Sequence, residues 1–155
     1  MINYIGDEMK KIMVIIVIIM ILMITTGCSY KYKGNITKKE NKIKVSEINV
    51  IINNKKYILK LDNNDTAREF VSLLPKEFTM NELNGNEKYV YLNNSLTTNE
   101  YNVNHIEKGD VMLFGNNCLV LFYKSFDTSY SYTKIGHIND LDDLGNGNIT
   151  VKFEK

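Results

Sequence analysis

The sequence predicts a mainly β domain, an antiparallel barrel closed on itself and carrying two short α-helices. Three observations carry that prediction. Short runs of branched and aromatic residues alternate with Asn- and Gly-bearing turns, the pattern of successive hairpins. No rhythm of strands and long helices marks a parallel sheet. The densest apolar stretch, Gly109–Lys124, reads as two strands, Val111–Phe114 and Leu119–Tyr123, around Gly115-Asn116-Asn117. Those three turn residues tolerate positive φ. Its apolar residues run almost without interruption, so both faces of this hairpin should be covered.

The chain has 155 residues, enough for one domain and an export segment. Nineteen basic and 18 acidic side chains leave a net charge of +1. With no basic excess to neutralise phosphates, the balance argues against a dedicated nucleic-acid binder.

Lys10 and Lys11 precede an apolar run, Ile12–Ile24, followed by Thr25, Thr26, Gly27 and Cys28. A basic start, a short apolar middle and small residues are the grammar of a secretory signal peptide. A helix over this run would be about 20 Å long, against a hydrocarbon core of about 30 Å. Residues 1–27 are therefore expected to be a cleaved signal peptide rather than a permanent membrane span. Met9 offers a second start position. Gly27-Cys28 resembles the lipobox of bacterial lipoproteins, although Thr25 stands where Leu is usual. That resemblance implies cleavage before Cys28, lipid on its thiol, and attachment to the outer face of the cell membrane; two or more acyl chains hold a protein there firmly. Cys118 is then left without a disulfide partner and is expected to behave as a small buried hydrophobe. Neither His105 nor His137 lies near it in sequence to activate it as a nucleophile.

Residues 28–42 lack an apolar period and read as a tether, leaving 43–155 as the domain. Ile43–Ile52 is the first expected strand. Asn53-Asn54-Lys55 turns it into Tyr57–Leu61. Asn64 or Asp65 should cap a helix that runs through Thr66, Ala67 and Glu69, with an apolar side of Phe70, Val71, Leu73 and Leu74 and Pro75 beyond its end. Asp62-Asn63-Asn64-Asp65 lacks the ligand spacing of a calcium loop, so capping is the better account. Glu77–Leu83 and Glu87–Leu92 flank Asn84-Gly85-Asn86 as a second hairpin. Asn93–Lys108 reads as a polar loop and Ser125–Lys134 as a Tyr-bearing connection. Gly136–Ile138 reads as a short strand and Asn139–Leu144 as a second, one-to-two-turn helix. Ile149–Phe153 closes the chain, with Ile149, Val151 and Phe153 on one face.

The order of these elements resembles the cyclophilin fold. Thr66-Ala67-Arg68-Glu69-Phe70 is similar to the start of the first cyclophilin helix. Gly109-Asp110-Val111-Met112-Leu113 resembles a Gly-x-Val-x-Met strand, and Ile135-Gly136-His137-Ile138 a Phe-Gly-x-Val strand. The nearer resemblance is to the small bacterial cyclophilin-like family, over about Val45–Glu154, including the Asn-Gly-Asn hairpin and Phe122-Tyr123-Lys124. It implies a closed cyclophilin-like barrel. Cyclophilins turn prolyl amides by aiming an Arg at the prolyl nitrogen, which lowers a barrier of about 18–20 kcal/mol. The string matching that strand is Phe78-Thr79-Met80, so Met80 stands where Arg is expected. The chain's one arginine, Arg68, is on the helix, and the pocket Trp is missing because the chain has no Trp. Lys76 or Lys88 would supply charge without the planar fork of Arg.

What the sequence leaves is a binding surface. Phe78, Met80, Phe122, Tyr123, Tyr130 and Tyr132 are the candidate groove for a peptide or small ligand. The plainer alternative puts most of them in the core, Phe78 and Phe122 above all. No residue is assigned a catalytic role, no cofactor is expected, and His137 with Asp140, Asp142 and Asp143 reads as solvated rather than metal-binding. The expected protein is a monomeric, membrane-tethered binding module, with weak prolyl isomerisation of exported proteins as the alternative.

Overall fold

The computed structural model describes residues 45–155, together with Met13, Ile15 and Ile16, which are helical and exposed. The expected signal peptide, the lipidated Cys28 and the tether lie, those three residues apart, outside the described residues. The unit from Lys42 to Lys155 is mainly β. Its strands are β1 (Glu47–Ile52), β2 (Lys55–Leu61), β3 (Lys76–Leu83), β4 (Glu87–Tyr91), β5 (Tyr101–Asn102) and β6 (His105–Ile106). After them come β7 (Asp110–Phe114), β8 (Cys118–Phe122), β9 (Phe126–Asp127), β10 (Ser131–Ile138) and β11 (Ile149–Glu154). One helix, α1 (Asp65–Ser72), is present among the described residues of this unit.

Eight strands close a ring in the order β2, β1, β11, β3, β4, β8, β7, β10, and β10 pairs back onto β2. Every pairing is antiparallel. Closure leaves no free edge in the ring, which is how such a sheet escapes edge-to-edge association. β5 adds to β10 outside the ring, and β6 with β9 makes a separate two-stranded ribbon.

Turn chemistry sets the register. Asn53 and Asn54 both have positive φ, 49° and 65°, as a tight β1–β2 reversal requires. Asn84 and Gly85 do the same, at 55° and 71°, between β3 and β4. In the central hairpin only Gly115 takes positive φ. Two other glycines are fixed by crowding. A Cβ on Gly109, whose φ is 101°, would stand 2.1 Å from the carbonyl oxygen of Ile138. A Cβ on Gly136 would stand 2.3 Å from that of Lys60. These glycines sit where β10 is pressed between β7 and β2.

Alternation sorts the side chains into two apolar groups. Val50, Leu59, Met80, Val111, Leu113, Leu119, Leu121, Val151 and Phe153 fill the barrel. α1 joins this core through Phe70, whose ring meets Phe153 edge-on at 5.2 Å. Asn64 caps the helix, its side-chain oxygen accepting from the Ala67 amide at 2.8 Å, while its Nδ2 donates to the Lys134 carbonyl at 2.7 Å. The second group lies on the outer face of β7 and β8: Met112, Cys118, Val120 and Phe122, with Tyr132 of β10 and Ile106 of β6. Both faces of the central hairpin are covered, which is why its sequence does not alternate.

Three expectations are corrected. Asn139–Leu144 is not a helix. Asp140 takes φ 53°, Leu141 is drawn into the core, and Asp142 accepts from Lys55 Nζ at 2.6 Å and the Tyr57 hydroxyl at 2.8 Å. A six-residue segment has too few turns to offset the cost of nucleating a helix, and these contacts win. Gly136–Ile138 is the end of the longer strand β10, which takes in Ser131–Ile135 and carries an irregularity between Lys134 and Gly136. Asn93–Lys108 is not simply a polar loop. It buries Leu96 and Ile106 and contributes β5 and β6.

Candidate functional site

The outer face of the β4–β8–β7 sheet carries a concavity. On β4, Glu87, Tyr89 and Tyr91 share that face by the two-residue period, and Lys88 between them points into the barrel. Register places Tyr91 opposite Cys118, Tyr89 opposite Val120 and Glu87 opposite Phe122. Phe114 at the end of β7, Tyr130 just before β10 and Tyr132 within it make the facing wall. Leu83 at the end of β3 and Asn84 of the β3–β4 turn complete the rim. The cavity they enclose has a volume of about 310 Å³.

Aromatic rings dominate it. Phe114 meets Tyr130 at 6.0 Å and Tyr132 at 5.5 Å between centroids, and Tyr89 meets Tyr91 edge-on at 5.9 Å. Tyr132 is held from behind by Phe122 at 5.5 Å, and Phe122 by Phe126 at 5.7 Å. Tyr91 and Tyr130 are exposed, so rings line the mouth as well as the floor.

One charged group lies among the rings. Glu87 is 8% exposed and accepts a single long hydrogen bond, 3.5 Å, from Asn84 Nδ2. No ion pair to it is present among the described residues. Burial raises its pKa above the ordinary carboxylate value, with Glu82 adding in the same direction and the Asn84 bond opposing. Burial first, then the Glu87 charge, pushes Tyr132 up to about 12 and raises the Cys118 thiol. Cys118 is a free, buried cysteine that lines the cavity as a neutral thiol.

The barrel interior disposes of its own charges differently. Lys88, fully buried, donates to Glu82 and to the carbonyls of Gly145 at 2.6 Å and Gly147 at 2.7 Å, and its ammonium lies 4.7 Å from the centre of the Tyr123 ring. Glu82 also accepts from the Tyr123 hydroxyl at 2.7 Å and the Gly85 amide at 2.9 Å. Burial raises the Glu82 carboxyl, but the Lys88 and Tyr123 hydrogen bonds and the Lys88 charge outweigh it, leaving the pKa below its ordinary value. This network ties the β3–β4 hairpin to the loop before β11. A third cluster joins Asp110, buried, to His137 Nδ1 at 2.9 Å, Lys134 Nζ at 3.0 Å and the Glu107 amide at 3.1 Å. It fastens β10 to β7.

The six residues of the sequence-derived groove do not converge. Tyr130 and Tyr132 line the cavity and Phe122 supports it from below. Met80, Phe78 and Tyr123 belong to the barrel interior, Met80 with no exposure at all. Met80 therefore occupies a core position, and an arginine there would be buried rather than presented to a ligand. Arg68 pairs with Asp65 at 2.6 Å on α1. Leu83, Glu87, Tyr89, Tyr91, Phe114 and Cys118 were not among the candidates. The alternation of Glu87, Tyr89 and Tyr91 was visible; what was not was which face of β4 looks outward.

The model of the cyclophilin-like family matches residues 50–154. No curated protein matches the chain. A hypothetical protein from Archaeoglobus fulgidus, known from a solution structure, is similar over 70% of this chain and 93% of its own, with 19% identity and a TM-score of 0.47.

Proposed function

This chain belongs to the cyclophilin-like family, and from that premise we propose that its domain is a non-catalytic binding module for a small ligand or a peptide side chain, held in the outer-face cavity. The observation that supports this reading most is the cavity itself, walled by Tyr89, Tyr91, Phe114, Tyr130 and Tyr132. Concave, ring-lined sites with few polar groups are the usual form of ligand sites. No basic side chain lines it, so the cavity lacks the guanidinium that cyclophilins aim at the prolyl nitrogen.

A chymotrypsin-coupled assay on a proline tetrapeptide tests the reading. The expected rate is the uncatalysed one. Turnover near that of a true cyclophilin removes the binding-only reading in favour of prolyl isomerisation.

The same proposal puts the domain on the extracytoplasmic face of the cell membrane, anchored through lipid on Cys28, as a monomer on a tether of residues 28–42. Gly27-Cys28 after the apolar run Ile12–Ile24 supports this. Mass spectrometry of the mature protein should find an acylated Cys28 as its first residue; a chain retaining residues 1–27, or beginning at an unmodified Cys28, would discard the anchor.

A further inference from the structure

Building on the binding-module reading, we propose that the ligand of the outer-face cavity is an organic cation, an ammonium group seated among the tyrosine rings against the carboxylate of Glu87. Two independent features point there. Four tyrosines and Phe114 line one cavity. The faces of such rings are electron-rich and attract a cation within about 6 Å, best when water is excluded. Second, a carboxylate 8% exposed has no cationic partner among the described residues, and the adjacent Lys88 faces the other side of the strand. There Lys88 is committed to Glu82 inside the barrel. Buried carboxylates are ordinarily paired, because an unpaired one loses its hydration without recompense. The cavity thus supplies one negative charge and a ring of quadrupoles, with no lysine or arginine to compete.

The volume, about 310 Å³, lies at the small end of ligand sites. It suits a head group of choline size or the end of a lysine side chain, and excludes a folded partner. The two sources share the ammonium and differ in its substitution. Methylated nitrogen gains mainly from the rings; primary ammonium needs the Glu87 carboxylate and the Tyr132 hydroxyl as acceptors.

The test is a calorimetric titration of the full chain in a non-ionic detergent with three probes: choline, Nα-acetyl-lysine amide, and 3,3-dimethylbutan-1-ol, the neutral shape-mimic of choline. At least one cation should bind about tenfold or more tighter than the neutral alcohol. Which one binds identifies the source. Glu87→Gln keeps the side chain's size and removes its charge; it should erase a preference for primary ammonium and weaken one for choline, which the rings also hold, while leaving the melting temperature at pH 7 unchanged or higher. Tyr91→Leu, at an exposed ring, should weaken the cation more than the alcohol. Equal affinity for both cations and the alcohol overturns the cation while leaving the cavity a binding site; a preference undiminished by Glu87→Gln overturns the seating of an ammonium against that carboxylate. No binding of any of the three also overturns it.

Discussion

Two glutamates five residues apart have opposite fates, and the difference is one of partners. Glu82 holds Lys88, the Tyr123 hydroxyl and the Gly85 amide; Glu87 holds one long bond from Asn84. Removing one member of a buried, hydrogen-bonded ion pair leaves the other charge uncompensated and typically costs about 3–5 kcal/mol. Lys88→Met should fall in that range by urea unfolding, and adding Glu82→Gln should recover a large part of it; a loss below about 1 kcal/mol for the single variant would show the network to be idle. The pH dependence follows from the depressed pKa of Glu82. A carboxylate with a lowered folded-state pKa contributes stability that is present above its unfolded value, about 4.3, and is lost as pH falls through the folded value. The intact protein should therefore lose this contribution under acid, and the double variant should not.

At the scale of elements, much was legible because local chemistry and global fold agree. Asn53-Asn54 and Asn84-Gly85 specify tight turns, Asn64 specifies the start of α1, and the two apolar runs on either side of Gly115-Asn116-Asn117 specify a strand pair covered on both sides. The misreadings arise where contacts distant in sequence decide. Asn139–Leu144 carries a helix-like pattern, but Asp142 is claimed by Lys55 and Tyr57 from β2. Met80 and Phe78 share a face, yet period two alone cannot say whether that face is inside the ring. Cavity residues come from five separate strands and the segments beside them, and the pairing of β7 with β10 brings Phe114 beside Tyr130. Where β10 is pressed between β7 and β2, Gly109 makes a prediction of its own. Gly109→Ala sets a methyl group against the Ile138 carbonyl at a backbone conformation unsuited to alanine, and should cost about 3 kcal/mol. Gly115→Ala, with open space around it, should cost about 1–2 kcal/mol from backbone strain alone. Equal losses in thermal unfolding would mean that the crowding at Gly109 is relieved without cost.

The whole molecule divides its labour between the two faces of one closed sheet. Inside, apolar side chains and the Lys88–Glu82 pair hold the ring together. Outside, the second apolar group stops short of filling the surface and leaves a ring-lined hollow with a carboxylate on its wall. A second concavity of about 860 Å³ lies beside α1, bounded by Leu61, Ala67, Arg68 and Val71. It is larger, but Ala67 and Val71 already pack into the barrel core, and Arg68 at its rim is engaged by Asp65 and Asn63. Backbone and side-chain NMR of the full chain in non-ionic detergent, titrated separately with choline and with a proline-containing tetrapeptide, distinguishes these surfaces most directly. Ligand-induced shifts should concentrate on Glu87, Tyr89, Tyr91, Phe114, Cys118, Tyr130 and Tyr132 and leave Val50 and Phe153 in the interior unmoved. Shifts centred instead on Leu61, Arg68 and Val71, or none with either titrant, would contradict a binding site on the outer face.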